Sequence, residues 1–407
     1  MSMWDDFDLT QRQKELLGRV GEVCAPFPDR AADNDRDAEF PHANYADLNA
    51  AGFLALCIPQ ANGGLGADYE TYSLVAAEIA RHDPATALTF NMHSCSMLWS
   101  GPLADDLPMQ DDQRDTHNAR RAAIYQSVVD GAAIFAQPFS EPNSMAASGK
   151  APFGTTARKV DGGWLVNGKK HFASLAGAAD YYAVLCTEDK GDDNPDVRDT
   201  MLLAVPGNAD GFNVVGGWDT LGMRPTVSKN LDIQDVFVSD EAQLLPRGAY
   251  YEAASRWPHM FMTLSPSYMG LSQAAYDFTV AYLRGEAPGA KGARRNAPVK
   301  QFAIAEMKMK LEQSRAMFMN AVRDARYNPS KETRLRAYVA QYTVMENAPD
   351  LTRLAIRTCG GTTIFKSMPL ERYYRDARCG SLMLPWSAEA CLERLGRECL
   401  YEPGERD

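Results

Sequence analysis

The stretch Pro369-Leu370-Glu371-Arg372-Tyr373-Tyr374-Arg375-Asp376-Ala377-Arg378, followed by Ser381-Leu382-Met383-Leu384-Pro385-Trp386-Ser387-Ala388-Glu389, governs how the rest of this chain is read. Three arginines and two acids crowd its first half, whereas its second half has no acid before Glu389. Around it lie 407 residues, enough to bury a large core and to divide into two or three domains. Composition is that of an ordinary soluble protein, 45% hydrophobic and 23% charged. The formal net charge of -11 argues against a nucleic-acid partner, because phosphate recognition needs a basic field.

The N-terminus, Met1-Ser2-Met3-Trp4-Asp5-Asp6-Phe7-Asp8, carries acids where a secretory signal carries Lys or Arg. No uninterrupted apolar run is long enough for a bilayer, so no membrane association is expected. The 8 cysteines are scattered without a C-x-x-C pair or a Cys/His zinc spacing. Reduced thiols in a cytoplasmic protein and no metal site are the expectation.

Three regions differ in periodicity. Residues 1–131 are read as an N-terminal helical domain, with Tyr72, Val75 and Ile79 on one helix face. Asn62-Gly63-Gly64-Leu65-Gly66 lacks a P-loop lysine and reads as a turn before that helix. Residues 132–246 read as short strands and turns. Asn167-Gly168 stands between two strand-like runs and predicts a hairpin there. Tyr181–Cys186, Met201–Val205 and Leu231–Val238 read as further strands, and the Asp-rich stretch 187–199 as a solvated loop. Residues 247–407 are helical again, with Ile304, Met307, Leu311, Phe318 and Val322 in a core stripe that Ser314 interrupts. Helix, then β, then helix is an α+β arrangement, mostly α: a small β-domain held between helical bundles.

Six stretches in this order resemble the acyl-CoA dehydrogenase superfamily over nearly the whole chain. They are Gly63-Gly64-Leu65-Gly66, Phe139-Ser140-Glu141-Pro142, Gly163 to Ala179, Leu221-Gly222-Met223-Arg224, Gly360-Gly361 and Pro369 to Arg378. The resemblance implies an N-terminal helical domain, a middle β-barrel and a C-terminal four-helix bundle. It also implies one FAD per subunit and a homotetramer or homodimer. An isoalloxazine ring needs an apolar sandwich and a few hydrogen bonds at its polar edge. By the resemblance Phe139 and Ser140 approach that edge, and Phe172-Ala173-Ser174 covers the ring and donates a hydroxyl. Gly360 and Gly361 let a neighbouring subunit's backbone approach the adenosine-pyrophosphate, with Arg357 where the family commonly has glutamine. The sequence departs from the family at Asn143-Ser144-Met145-Ala146-Ala147 and lacks its Arg-x-x-Phe-Gly loop. Lys291, Arg294 or Arg295 can substitute for the cation of that loop.

Dehydrogenation of an acyl-CoA needs a carboxylate at Cα with its pKa raised by burial. Aligned with the family, the usual glutamate position holds Leu384 or Pro385, and the alternative helical position falls at about Met260. Neither is an acid. His259 stands beside the second place and titrates near neutral pH. Glu389 is the next acid along the chain but opens the final helix. His93 lies in the region that lines the substrate cavity in this family, and in its oxygenase branch a histidine there assists oxygen chemistry. Three readings follow. One is an FAD-dependent acyl-CoA dehydrogenase-like enzyme without the usual glutamate, passing electrons to an electron-transfer flavoprotein. Another is a flavin monooxygenase fed by a flavin reductase. The third is a non-catalytic subunit of a heteromeric dehydrogenase.

Overall fold

A computed structural model describes residues 3–142, 146, 151–191, 194–383, 387–402 and 405. The N-terminal helices are α1 (Gln11–Cys24), α2 (Phe27–Asp37), α3 (His42–Ala50), α4 (Tyr69–His82), α5 (Pro84–Ser100), α6 (Pro102–Asp105) and α7 (Asp111–Val129). Asp68 caps α4 by accepting the Thr71 N–H at 2.8 Å. Asp83 then ends α4 and caps α5, where Pro84 at the first position suits a helix start and cannot continue the one before. Tyr72, Val75 and Ile79 are fully buried, as their spacing predicts.

Among the described residues eight strands follow: β1 (Phe135–Ala136), β2 (Thr156–Val160), β3 (Gly163–Ala173), β4 (Tyr181–Asp189), β5 (Thr200–Pro206), β6 (Phe212–Val215), β7 (Lys229–Ser239) and β8 (Gln243–Leu245). They form one sheet in the order β6-β7-β3-β2-β4-β5-β8, with β1 beside β4. The predicted hairpin at Asn167-Gly168 is not a turn. β3 runs straight through it, and the reversal comes at Asp161-Gly162, where Gly162 supplies φ 72. Asn167 instead pairs across the sheet with Asp235 on β7: its amide donates to Asp235 Oδ1 at 2.9 Å and its Oδ1 accepts the Asp235 N–H at 2.9 Å. The ladder with β7 slips beside it, so an Asn-Gly pair that reads locally as a turn is an irregularity inside a long strand.

The C-terminal helices are α8 (Ala249–Arg256), α9 (Ser265–Arg284), α10 (Pro298–Arg323), α11 (Lys331–Cys359), α12 (Pro369–Cys379) and α13 (Ala388–Leu400). α11 packs against α9, α10, α12 and α13. Met307, Leu311, Ser314, Phe318 and Val322 form the buried stripe of α10, with Ile304 half-buried at its start. The N-terminal domain docks through α4 on α9. The helices cross so closely that a Cβ on Gly270 would stand 2.1 Å from the Ala77 carbonyl oxygen. Among the described residues, no helix is long and apolar enough to cross a membrane.

Candidate active site

The charged segment 369–378 is a clamp. Arg375, on α12, reaches 340 positions back to Asp35 with two hydrogen bonds of 3.0 and 2.6 Å. It also binds Glu371 one turn earlier, at 2.8 and 2.9 Å, and donates to the Leu221 carbonyl at 2.9 Å. Next to it the buried Asp376 accepts the Met223 N–H at 2.5 Å. Between these anchors a Cβ on Gly222 would lie 2.4 Å from the Arg375 carbonyl oxygen, so only glycine lets the loop sit this close. The clamp thus fixes Leu221-Gly222-Met223, and through it the hydroxyl pair Thr226 and Ser228 that leads into β7.

That loop faces the end of β3. Leu175 N–H donates to the Thr226 carbonyl at 2.9 Å and Ala176 N–H to the Val227 carbonyl at 3.2 Å. The Ser174 and Ser228 hydroxyls lie 2.8 Å apart, and those of Ser228 and Thr226 2.7 Å apart. Ala173 is buried, but Phe172 is 68% exposed and held at φ 52. A non-glycine residue in that region costs about 1 kcal/mol or more, and here the outcome is a large aromatic ring left uncovered. Ser140 joins the same end of β3, because the His171 N–H donates to its carbonyl at 2.8 Å. Phe139 turns the other way, into a cluster with Trp99 at 6.0 Å, Tyr250 at 6.0 Å and Phe153 at 6.3 Å between ring centres. So the structure brings Ser140, Phe172 and Ser174 together and places Phe139 in an aromatic wall behind them.

Glu141 of the same motif has a role that its neighbours in the sequence do not reveal. Its carboxylate accepts from the fully buried Lys170 ammonium at 2.6 Å and from the Gly154 and Thr155 N–H groups at 2.6 and 3.0 Å. Burial would raise its pKa, but Lys170 and these donors outweigh that and hold the carboxyl below its ordinary value. Lys170 also donates to the Leu185 carbonyl at 2.6 Å and stands 4.8 Å from the Phe153 ring centre. A lysine sharing the core face of β3 with Val166 was the available signal, since residues four apart in a strand point the same way.

The two histidines differ. His93 is fully buried: its Nδ1 accepts the Phe135 N–H at 3.1 Å, so its Nε2–H donates to the Leu54 carbonyl at 2.8 Å. Both nitrogens are spent tying α5 to β1 and to the turn before α4. Burial pushes its pKa from the ordinary 6.5 down to about 4. Between those values the unfolded chain takes up protons that the folded one refuses, so this stability is complete above pH 6.5 and lost as pH falls. From pH 7 to pH 5 His93 should account for about 2 kcal/mol of lost stability. Asp376, pushed up to about 7 chiefly by burial, acts with the opposite sign and favours the fold as pH falls. Urea unfolding of wild type and His93→Gln at both pH values isolates the histidine; equal pH dependence would refute this assignment.

His259 lies in the short helical turn Pro258–Leu264 and is also fully buried, yet among the described residues neither ring nitrogen has a hydrogen-bond partner. Its carbonyl accepts the Tyr69 hydroxyl at 2.9 Å, and the two rings meet edge to face at 6.3 Å. Burial lowers its pKa to about 4, and the charges that act on it are Asp324 and Arg326, in the connection between α10 and α11. Among the described residues, no hydrogen bond or ring contact joins it to Ser140, Phe172 or Ser174. Leu384–Trp386 lie outside the described residues, as do 143–145 and 147. Glu389 is in the first turn of α13, as its sequence position predicts.

At the far end of α11, Gly360 has φ 94, and among the described residues nothing lies within 4 Å of a Cβ built on it or on Gly361. Arg357, Lys291, Arg294 and Arg295 are exposed. Lys300 donates to the Thr358 carbonyl. Arg294 and Lys300 both lower the pKa of Cys359, although burial wins and lifts it to about 11. The basic loop and the glycine pair therefore share one open, cationic corner. An uncovered aromatic ring beside serine hydroxyls suits an aromatic cofactor, and the cationic corner, a separate place in the fold, suits phosphate. A cleft of about 980 Å³ between the N-terminal segment, α1, α4 and α9 contains none of these residues and is not where this chemistry gathers. Among the described residues, no group of three or more His, Cys, Asp or Glu could hold a metal ion.

Family models described as the N-terminal, middle and C-terminal domains of acyl-CoA dehydrogenase match residues 10–103, 136–236 and 262–382. YdbM of Bacillus subtilis (strain 168), which bears an acyl-CoA dehydrogenase name, is 28% identical over 403 residues, 96% of this chain and 98% of the relative. Butyryl-CoA dehydrogenase from Megasphaera elsdenii superposes with a TM-score of 0.82 at 22% identity, over 97% of this chain and 100% of that one. FMN-bound TdsC from Paenibacillus sp. A11-2, a dibenzothiophene monooxygenase, superposes with a TM-score of 0.81 at 22% identity, over 95% and 97%. Those two likenesses speak to the fold alone. With three consecutive domains matched in order, the chain belongs to the acyl-CoA dehydrogenase superfamily.

Proposed function

We propose that the protein is an FAD-dependent oxidoreductase of the acyl-CoA dehydrogenase type, acting on an acyl thioester without a glutamate in either of the family's places. The observation that carries this reading is the exposed Phe172 ring beside the buried Ser174 hydroxyl, next to the loop that Arg375 and Asp376 clamp. Bound flavin supplies the hydride acceptor. The chain's own residues cover and orient it: Phe172 against the ring, Ser140 and Ser174 at its polar edge. Gly360, Gly361 and the cations Arg294, Arg357 and Lys300 would receive the phosphates of a neighbour's cofactor, which is why the dinucleotide FAD is preferred over FMN. Acyl thioesters are the substrate class named in the butyryl-CoA dehydrogenase neighbour.

Such a site needs a second subunit. Val299, Phe302 and Met309 on α10, with Ile364 and Phe365, are exposed apolar residues, and they support a homotetramer or homodimer. An electron-transfer flavoprotein is the fitting electron acceptor, and a cytoplasmic setting suits the free cysteines.

Anaerobic mixing of the FAD-loaded protein with a panel of acyl-CoAs should bleach the flavin absorbance. Of these two histidines His259 is the one whose ring nitrogens have no partner among the described residues, so it is the base to test. His259→Ala should abolish the bleaching, and full retention would remove His259 from the role. A colourless protein that yellows only with a second gene product would instead favour the non-catalytic subunit.

One observation favours a second reading, a flavin monooxygenase. His93 is fully engaged, His259 is neutral and pushed to low pKa, and no acid stands at either base position, whereas oxygen transfer needs no α-proton base. Under that reading acyl-CoAs leave the flavin yellow. Reduced protein mixed with oxygen should then show a transient absorbance unlike either the oxidised or the reduced spectrum.

A further inference from the structure

The hydroxyls beside Phe172 form a chain whose direction can be worked out by counting protons. Thr226 Oγ1 donates its one proton to the Met223 carbonyl at 2.8 Å. Its contact with Ser228 Oγ at 2.7 Å is therefore a hydrogen bond only if Ser228 is the donor. Ser228 has then spent its proton, so the 2.8 Å contact with Ser174 requires Ser174 to donate. Thr226, Ser228 and Ser174 are 1%, 7% and 9% exposed, and two backbone hydrogen bonds hold their segments together, which keeps the three hydroxyls in register. The chain ends on the Met223 carbonyl, and Met223 is itself held in place by its N–H donating to the Asp376 carboxylate.

We infer that Thr226 and Ser228 are positioning residues that turn the proton of Ser174 away from the site, so that Ser174 meets the flavin as a hydrogen-bond acceptor. This rests on the flavin reading above and reverses the expectation that Ser174 donates. An acceptor suits the reduced cofactor, whose N5 carries a proton, better than the oxidised one, whose N5 carries a lone pair. The chain thereby raises the flavin potential. Removing Ser228 frees the Ser174 proton to point at the ring, which favours the oxidised state.

The test is the two-electron midpoint potential of the FAD-loaded protein, read anaerobically against reference dyes. Ser228→Ala should favour the oxidised form roughly tenfold, the scale of one hydrogen bond, a fall of about 30 mV. Thr226→Val should lower it in the same direction, and Ser228→Thr should keep the wild-type value. In a Ser174→Ala background Ser228→Ala should have no further effect, because the group it orients is gone. FAD-loaded variants with unchanged or raised potentials, or an undiminished shift in the Ser174→Ala background, would overturn the relay while the flavin reading stands. A wild-type chain that takes up no flavin would overturn both.

Discussion

Lys170→Met should destabilise the protein by about 3–5 kcal/mol, the range for removing one partner of a buried ion pair. Lys170 and Glu141 have side chains 0% and 2% exposed and meet at 2.6 Å. Burial pulls the Lys170 ammonium below its ordinary pKa, and Glu141 opposes that pull. Without the lysine the carboxylate keeps two N–H donors but stays in the core without a countercharge. The unbalanced charge, more than the lost attraction, sets the cost. Denaturant unfolding followed by tryptophan fluorescence would measure it, and a loss below about 1 kcal/mol would show that the pair does not hold the strands. Adding Glu141→Gln to Lys170→Met should cost less than the sum of the single changes, because both remove one interaction. Since Ser140 and Phe139 precede Glu141, the lysine variant should also bind FAD more weakly.

Arg375→Leu should cost a similar amount, about 3–5 kcal/mol, for the same physical reason. It leaves two buried acids, Asp35 and Glu371, with side chains 6% and 11% exposed, facing each other without their shared cation. Lys366 still reaches Glu371 at 3.1 Å, but it is 72% exposed and compensates weakly. The change also releases the Leu221 carbonyl, so the loop carrying Thr226 and Ser228 loses an anchor. Weaker FAD retention should therefore accompany the stability loss. Arg375→Lys should recover little, because one ammonium cannot reproduce the forked contacts to two carboxylates. A variant as stable as wild type would show that the charged segment is not the clamp described.

These two cases show what kind of information each level carries. Periodicity placed the helical and β regions, and the buried faces of α4 and α10 follow directly from spacing. Asn167-Gly168 misled because turn chemistry is local, whereas the pairing of Asn167 with Asp235 is not. Glu141 and Arg375 could be recognised as parts of motifs, but their work was hidden. A carboxylate in a Ser-Glu-Pro motif looks like a surface or ligand residue until Lys170, 29 positions away, is seen against it. His93 stood out by residue type and region. Only its contacts with Phe135 and Leu54 reveal that neither nitrogen is free.

Sequence by itself determined the superfamily and the order of helix, sheet and helix, because residue identity and spacing are written along the chain. Tertiary structure alone decided which polar groups are partnered. Hydrogen bonding and burial depend on approach in space, and the approaches that matter here join residues 340 and 153 positions apart, Asp35 with Arg375 and Met223 with Asp376. The direction of the hydroxyl chain from Ser174 to Thr226 belongs to that second class. Each serine or threonine has one proton, and only its neighbours in the fold decide where that proton points.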